Sequence, residues 1–185
     1  MFIQTETTPN PQTLKFLPGV GVMPLGTAFY TSAQEAKTAA RPSLLAETLF
    51  RIEGVSAVFL GADFITITKQ PHVEWEHIKA LLLGAIMDHF VAGKPVISGE
   101  AKTENTEGDS EIVSQIRELI DTRVRPAVAQ DGGDIIFRSF HDGIVELELH
   151  GACSGCPSST ATLKQGIENM LKHYVPEVIA VEAVA

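Results

Sequence analysis

The residues best suited to chemistry in this sequence are Cys153 and Cys156, its only two cysteines, which form a Cys-x-x-Cys. Gly151 and Gly155 flank the first cysteine and permit backbone angles that other residues resist. Pro157 suits the first turn of a helix, where its missing N–H costs nothing. Free N–H groups at a helix start favour thiolate over thiol, so we expect lowered cysteine pKa values. A thiolate pair at an exposed loop tip binds soft metals.

Two thiolates do not complete a metal site, because zinc takes four ligands and a cubane cluster usually has four cysteines. A symmetric dimer would bring two such loops together and supply four thiolates. The residues alone leave two other uses of the pair open, thiol–disulfide exchange and unreactive buried thiols. Thiol–disulfide exchange is disfavoured because the position immediately before the first cysteine is not a tryptophan, the only tryptophan being Trp75. It is also disfavoured because the pair follows a predicted hairpin rather than lying in a βαβ unit.

Other polar residues near the cysteines have simpler interpretations. His150 stands three residues before the first cysteine, and a histidine at a strand end is more often solvated than a ligand. Asp131 and Asp134 flank two glycines and are interpreted as turn residues that accept backbone N–H groups, rather than as a cation site. Arg123 and Arg125 are interpreted as partners of nearby acidic residues on a solvated helix. No catalytic relay is evident, and no glycine-rich phosphate loop appears, so the sequence does not encode an ATP-driven step.

The elements that position the cysteines are predicted from hydrophobic periodicity over residues 111–185. An apolar stripe predicts a helix after residue 110, which Pro126 bends or interrupts. Over residues 144–150, valine and leucine alternate with glutamate and histidine, as in a strand with one buried face. The remaining predictions are a strand at 135–140, a helix at 158–174 and a strand at 178–184. The cysteine pair therefore falls between a strand and a helix.

The first half of the chain, residues 1–95, is predicted to be a separate domain with an antiparallel sheet and helices on one face. Residues 96–110 are polar, with four acidic residues and one lysine, and are predicted to be a linker. The predicted fold class is α+β, with two small domains that each pack helices on a mainly antiparallel or mixed sheet. The predicted elements of residues 1–95 are strands at 2–5, 13–17, 55–60 and 64–68 and helices at 42–52 and 73–90.

Composition excludes several classes of function. The chain has 185 residues, 44% of them hydrophobic, and a net charge of −9. That charge argues against a nucleic-acid binder, which needs clustered lysine and arginine. No apolar stretch is long enough to span a bilayer, so we predict no membrane partner. The N-terminus resembles neither a signal nor a transit peptide, which predicts a bacterial cytoplasmic protein, or an organelle-matrix protein whose presequence has been removed.

Specific motifs resemble a known family. Residues 123–134 and 149–160, which include RVRPAVAQDGGD and LHGACSGCPSST, closely resemble the NifU C-terminal-like (Nfu-type) domain. Residues 2–90 resemble the N-terminal domain that accompanies it, through TPNPQTLKF at 8–16 and GVSAVFL at 54–60. The resemblance covers nearly the whole chain, and we see no departure from the family pattern at the two cysteines.

The resemblance implies an iron–sulfur cluster scaffold or carrier, not an enzyme. Members bind a [4Fe–4S] cluster on paired Cys-x-x-Cys loops of a homodimer, so Cys153 and Cys156 are the implied ligands, and [2Fe–2S] is a second cluster type that the same four thiolates suit. The implied partners are an upstream iron–sulfur scaffold and apo target proteins that receive the cluster. A thiol–disulfide oxidoreductase and a zinc-stapled interaction module are the alternative functions.

Overall fold

The computed structural model describes residues 1–98, 110–155 and 157–184. The chain divides into two compact units, Met1–Lys102 and Thr103–Ala185, and each is described by itself. Each unit packs helices on its own sheet, so the predicted α+β class with two sheets is confirmed. None of the helices formed by the described residues is both long and apolar enough to cross a bilayer.

The first unit has a five-stranded sheet in the order β1-β2-β5-β4-β3, in which all neighbours are antiparallel. Its core is formed by large apolar side chains of the strands and of the helices packed on them, among them Phe16, Tyr30, Leu45, Ile67 and Leu82. The elements in chain order are β1 Gln4–Thr7, β2 Thr13–Leu17, β3 Ala28–Tyr30, α1 Ala33–Thr38, α2 Leu44–Phe50, β4 Val55–Leu60, β5 Ile65–Lys69 and α3 Trp75–Val91.

Two elements of this unit, β3 and α1, were not predicted. They have three and six residues, which is too short for a periodic pattern to be recognised. Local chemistry nevertheless defines the start of α1, because the Ser32 hydroxyl accepts a hydrogen bond from the Glu35 N–H at 3.1 Å. Glu35 in turn accepts from the Thr31 N–H at 2.7 Å, which satisfies a second backbone donor.

The first unit extends beyond residue 95. The Ser43 hydroxyl donates to the Val96 carbonyl at 2.7 Å, and the Ser98 N–H donates to the Pro42 carbonyl at 2.8 Å. Val96 and Ile97 pack against the core of this unit. The start of the predicted linker is thus tied to the first unit, and residues 99–109 lie outside the described residues.

The second unit consists of a helical segment, a hairpin, a helix and a final strand. Its sheet has the order β6-β7-β8, with β6 and β7 antiparallel and β7 and β8 parallel, so α6 forms the crossover between parallel strands. The elements are α4 Glu111–Leu119, a π-helical turn Ile120–Val124, α5 Arg125–Gln130, β6 Gly133–His141, β7 Ile144–Gly151, α6 Pro157–Tyr174 and β8 Ala180–Val184.

The predicted interruption at Pro126 takes the form of the π-helical turn. A proline ring clashes with the carbonyl four residues earlier in a regular α-helix, here that of Thr122. The wider turn at Ile120–Val124 immediately before the proline removes that conflict. The segment therefore stays helical through the proline, and the apolar stripe of Ile116, Ile120 and Val124 remains buried.

The stability of the first unit is expected to fall as the pH drops below about 6.5, the usual histidine pKa. His89 of α3 is buried and its Nε2 has no hydrogen-bond partner. Burial lowers the pKa of His89, and the charge of Lys94 lowers it further, although backbone carbonyls partly oppose the shift. Between the pKa of this histidine in the unfolded chain and its lower pKa in the folded unit, the unfolded chain binds a proton that the folded unit does not. The stability of the unit is therefore full above the unfolded pKa and is lost as the pH falls towards and through the folded pKa.

Urea unfolding at several pH values, followed by the fluorescence of Trp75, the only tryptophan, reports on this unit. His89→Leu should flatten the pH dependence, whereas replacement of the exposed His72 by glutamine should leave it unchanged. An unaltered slope in His89→Leu would contradict the assignment.

Candidate metal centre

Cys153 lies in the tight turn that follows β7. The strand ends at Gly151, whose φ of +64° is accessible to glycine at little cost. The Ala152 N–H donates to the Gly132 carbonyl at 3.1 Å, and the Ser154 N–H and hydroxyl both donate to the Gly151 carbonyl, at 3.1 and 2.8 Å. The first bond ties the turn to the residue before β6, and the other two tie it to the end of β7, so the position of the cysteine depends on both strands.

The sulfur of Cys153 occupies space that exists because residue 133 is glycine. Gly133 pairs with Gly151 across the β6–β7 ladder. A Cβ atom at Gly133 would lie 2.4 Å from the Cys153 Sγ and 2.9 Å from the His150 carbonyl oxygen. The sequence pattern indicates only a turn at this glycine, because a contact across the ladder becomes apparent only from the strand register.

Two expectations about Cys153 are wrong in this conformation. The side chain is buried and belongs to the core of the second unit, not to an exposed loop tip. Burial, together with the nearby carboxylates of Asp131 and Asp134, raises the pKa of Cys153 to about 12, whereas a lowered value was predicted from the helix start. The cause is the direction of the side chain, which points into the unit towards Gly133.

Cys156, the second predicted ligand, lies outside the described residues. The helix that follows it, α6, begins at Pro157, one residue before the predicted start. The Thr160 hydroxyl donates to the Cys153 carbonyl at 3.2 Å, so the first cysteine contacts the first turns of α6 through its backbone. The role of the cysteine pair as ligands stays a prediction.

A buried ion pair between Arg125 and Asp134 lies beside the cysteine turn. Asp134 is buried, and its two carboxylate oxygens accept from Nε and Nη2 of Arg125, each at 2.8 Å. It also accepts from the Ile135 N–H at 2.8 Å, in line with the predicted turn role. Arg125 pairs with Asp121 as well, at 3.2 Å, so its predicted pairing with acidic residues is confirmed. The pair joins α5 to the first residues of β6.

Arg123, the other arginine for which pairing with nearby acidic residues was predicted, contacts an aromatic ring. The guanidinium carbon of Arg123 lies 4.8 Å from the centre of the Tyr174 ring, in cation–π geometry. The two residues are 51 positions apart in the sequence, so neighbouring charges along the chain gave no signal for this contact.

The prediction that His150 is a solvated residue is wrong, because its ring is hydrogen-bonded to Glu148. Its Nε2 and the Glu148 Oε1 form a hydrogen bond of 2.7 Å, and Arg138 holds the other oxygen of Glu148. Burial opposes ionisation of Glu148, but these two partners outweigh it and lower its pKa. Within residues 1–98, 110–155 and 157–184, no group of three or more histidine, cysteine, aspartate or glutamate side chains is arranged to hold a metal. Among the described residues, the candidate metal centre therefore contains the sulfur of Cys153 and no group of further ligands around it.

Comparison with known families assigns both halves of the chain. Residues 116–182 match the model of the NifU-like domain, and residues 3–93 match that of the N-terminal domain of the scaffold protein Nfu/NifU. The chain belongs to the NifU-like (Nfu) family. The N-terminal model is that of a scaffold protein, and this family is non-catalytic, so the prediction that the chain is not an enzyme is confirmed.

Curated relatives of this Nfu-family chain cover its whole length. The mitochondrial "NFU1 iron-sulfur cluster scaffold homolog" of Drosophila ananassae is 52% identical over 187 residues, and the protein of the same name from Drosophila sechellia is also 52% identical. Both alignments cover 100% of this chain, which spans 64% and 65% of the lengths of those relatives. A solution structure of a NifU-like protein from Saccharomyces cerevisiae is 30% identical, with a TM-score of 0.47, and covers 54% of this chain and 87% of its own.

A side chain added at Gly133 is expected to destabilise the second unit of this Nfu-family chain. The new Cβ of Gly133→Ala would meet the Cys153 sulfur and the His150 carbonyl, and the backbone oxygen cannot rotate away. Overpacking of this kind costs about 1–3 kcal/mol. Native-state hydrogen exchange of β7 amides measures the loss.

The matched control is Gly166→Ala in α6, where the added Cβ meets nothing within 4 Å. A glycine inside a helix is about 1 kcal/mol less favourable than alanine, so this change is expected to stabilise the same unit. Equal effects of the two changes would contradict the tight contact at Gly133.

Proposed function

We propose that this chain is an iron–sulfur cluster scaffold or carrier that binds a [4Fe–4S] cluster between two copies and transfers it to apo-proteins. The observation that carries the proposal is the Cys-x-x-Cys at the strand-to-helix turn of a NifU-like domain, in a chain with no other cysteine. Because each copy has two thiols, a four-thiolate site requires Cys153 and Cys156 from both copies. The names of the relatives, iron–sulfur cluster scaffold homologs, support the same cargo.

Loading requires the turn after β7 to change conformation. The sulfur of Cys153 is buried against Gly133 and cannot reach iron shared with a second copy from that position. Gly151 and Gly155 bound the turn, and both have positive φ values, +64° and +79°, at which glycine moves with little steric cost. We place the hinge for outward rotation of Cys153 at these two glycines.

Transfer proceeds by ligand exchange. A cysteine thiol of the target loses its proton to solvent as its sulfur binds a cluster iron, and the displaced thiolate of Cys153 or Cys156 takes up a proton. No electron is gained or lost in this step. The released Cys153 side chain then returns to its apolar site in the core of the second unit, which favours release over rebinding.

We propose that residues 111–185 form the cluster-binding domain and that residues 1–95 form the Nfu N-terminal domain. Residues 96–110 join them, and the start of this joining segment is held against the first unit by the hydrogen bonds of Val96 and Ser98. Upstream scaffolds and apo iron–sulfur proteins are the proposed partners. We also propose the mitochondrial matrix as the location, because the relatives are named mitochondrial, whereas these relatives lend no support to the bacterial cytoplasm.

Anaerobic reconstitution with iron and sulfide tests the proposal. About two irons per chain in a brown dimer, with a four-iron Mössbauer signature, is the expected result, whereas about one iron per chain would indicate [2Fe–2S] instead. A colourless monomer with free thiols would contradict cluster binding. The sample would then be assayed for zinc and for disulfide exchange, the two alternatives, although the buried Cys153 already argues against a reactive thiol.

A further inference from the structure

Strand β1, at one edge of the five-stranded sheet, has no neighbouring strand on its outer side among the described residues. Its four residues, Gln4–Thr7, pair with β2 without a bulge, and most of their side chains are exposed. Every second residue of an edge strand turns its N–H and C=O groups away from the sheet. The outer side of β1 is therefore a row of backbone donors and acceptors that can pair with another extended chain.

The usual protection of an edge strand is missing at β1. Edge strands are commonly protected by lysine, proline, a bulge or a covering element, and residues 2–7 contain neither lysine nor proline. The opposite edge differs, because β3 has only three residues and packs against α1. Just before β3, Arg41 donates to the carbonyls of Leu25 and Thr27, at 3.0 and 3.4 Å. Of the two edges of this sheet, β1 is thus the open one.

A cavity of about 560 Å³ lies beside the first residues of β1. Its lining includes Gln4 of β1 and the apolar residues Phe2, Leu17, Val20 and Gly21. Phe2 is 79% exposed and Val20 is 43% exposed, so apolar surface here is accessible from solvent. Proteins that add a peptide strand to a sheet edge take specificity from such side-chain cavities and affinity from the backbone hydrogen bonds.

We propose that β1 binds an extended segment of a partner protein, which adds an antiparallel strand to the outer edge and places one aromatic or large aliphatic side chain in this cavity. The antiparallel direction continues the pattern of the whole sheet. The side chain opposite Gln4 reaches the cavity, because directly opposed side chains lie about 5 Å apart on one face of a sheet and Gln4 lines the cavity. The backbone row thus specifies an extended chain, and the cavity specifies its anchor.

Charge at this edge favours a basic segment. Glu6 lies two residues from Gln4 on the same face of β1, and its side chain is 54% exposed. Asp63 adds a second exposed carboxylate, in the lining of the cavity. Lys15 lies 3.6 Å from Glu6, but its side chain is only 10% exposed, so the accessible charge is negative. A lysine or arginine two residues from the anchor would lie opposite Glu6, where opposite charges attract across strands.

A designed peptide tests the proposal directly. The probe is acetylated and amidated KTKTFTKTK, whose threonines favour an extended chain and whose lysines share one face with the central phenylalanine. Fluorescence anisotropy should show saturable binding of the labelled peptide to the unloaded full chain at physiological salt. Replacing the phenylalanine by alanine should raise the dissociation constant about tenfold or more, because the anchor is lost. No saturable binding at millimolar protein, or equal binding of the two peptides, would overturn the proposal.

Backbone methylation tests the strand addition itself. Methyl groups on alternate peptide nitrogens block only one edge of the added strand. One methylation pattern should abolish binding and the complementary pattern should retain it, because a single edge of the peptide faces β1. Loss with both patterns, or with neither, would contradict strand addition.

Hydrogen exchange of the β1 amides shows whether the edge is open. The amides on the outer side of β1 should exchange rapidly in the free chain and slowly in the complex with the peptide. Slow exchange of every β1 amide before peptide is added would show that a second copy or another segment already covers the edge, and the proposal would then fail.

A variant that fills the cavity provides the matching test on the protein side. A Cβ at Gly21 would meet nothing within 4 Å, and the φ of this glycine is not positive, so Gly21→Leu is expected to fold and to raise the peptide dissociation constant about tenfold. Gly84→Leu in α3 is the control, because a Cβ there is equally unhindered and Gly84 does not line the cavity. Equal effects would contradict the assignment, and unchanged Trp75 fluorescence verifies folding. No cysteine takes part, so this proposal and cluster binding can fail separately.

Discussion

Replacing Cys153 by serine is expected to abolish stable cluster binding, from about one [4Fe–4S] cluster per two chains to none. The chain has no spare cysteine, so each copy of the variant keeps one thiol. A dimer of the variant therefore offers two thiolates where the cluster requires four. Iron and acid-labile sulfide analysis after anaerobic reconstitution measures the loss, and Cys156→Ser should give the same result.

The fold of the unloaded chain should survive this change. Serine has nearly the size of cysteine, and the turn is held by backbone bonds from Ala152 and Ser154 that do not use the sulfur. The matched control is Ser154→Ala, which removes a hydrogen bond of the same turn but keeps both thiols, so it should retain the cluster. Full cluster content in Cys153→Ser would exclude this residue as a ligand.

Replacing Arg125 by methionine is expected to destabilise the second unit by about 3 kcal/mol. The change leaves the buried carboxylate of Asp134 without the partner that binds both of its oxygens. Breaking a buried pair costs about 3–5 kcal/mol, and the lower end applies because the Arg125 side chain is 34% exposed and water screens it partly. Hydrogen exchange of β6 and β7 amides measures the cost.

Two further variants test the cause of that loss. Lys172→Met breaks the exposed pair with Glu168 in the same unit and should cost less than about 1 kcal/mol. Adding Asp134→Asn to Arg125→Met should recover part of the stability, because the buried charge that has lost its arginine is then removed. A double variant no more stable than Arg125→Met would assign the loss to packing rather than to the buried carboxylate.

The sequence predicted the parts of the fold in which a long pattern repeats. The alternation at residues 144–150 located β7, and the helical stripe located α6, because burial of one face imposes those periods. The cysteine pair was found from residue type and spacing alone. By contrast, β3 and α1 are too short to show a period, and the parallel pairing of β8 was not predicted because no local pattern encodes it.

The environment of Cys153 was the part of the site that the sequence did not predict. The local motif suggested an exposed, acidic thiol, because only the glycines and the helix start were visible in it. The observed burial depends on Gly133, twenty residues earlier in the chain and brought next to the sulfur by the strand register. Likewise, the contact of Arg123 with Tyr174 forms only after the π-helical turn and α6 have come together in one unit.

The parallel pairing of β7 with β8 has a consequence for synthesis of the chain. The β6–β7 hairpin is made first, but β8 becomes available only after the cysteine turn and all of α6 have been translated. During that interval the outer edge of β7 is an unsatisfied row of N–H and C=O groups beside Val145 and Leu147, which are buried in the finished unit. A nascent chain is therefore most open to misassociation at the moment when its cysteines emerge, and shielding by a chaperone would be most useful there.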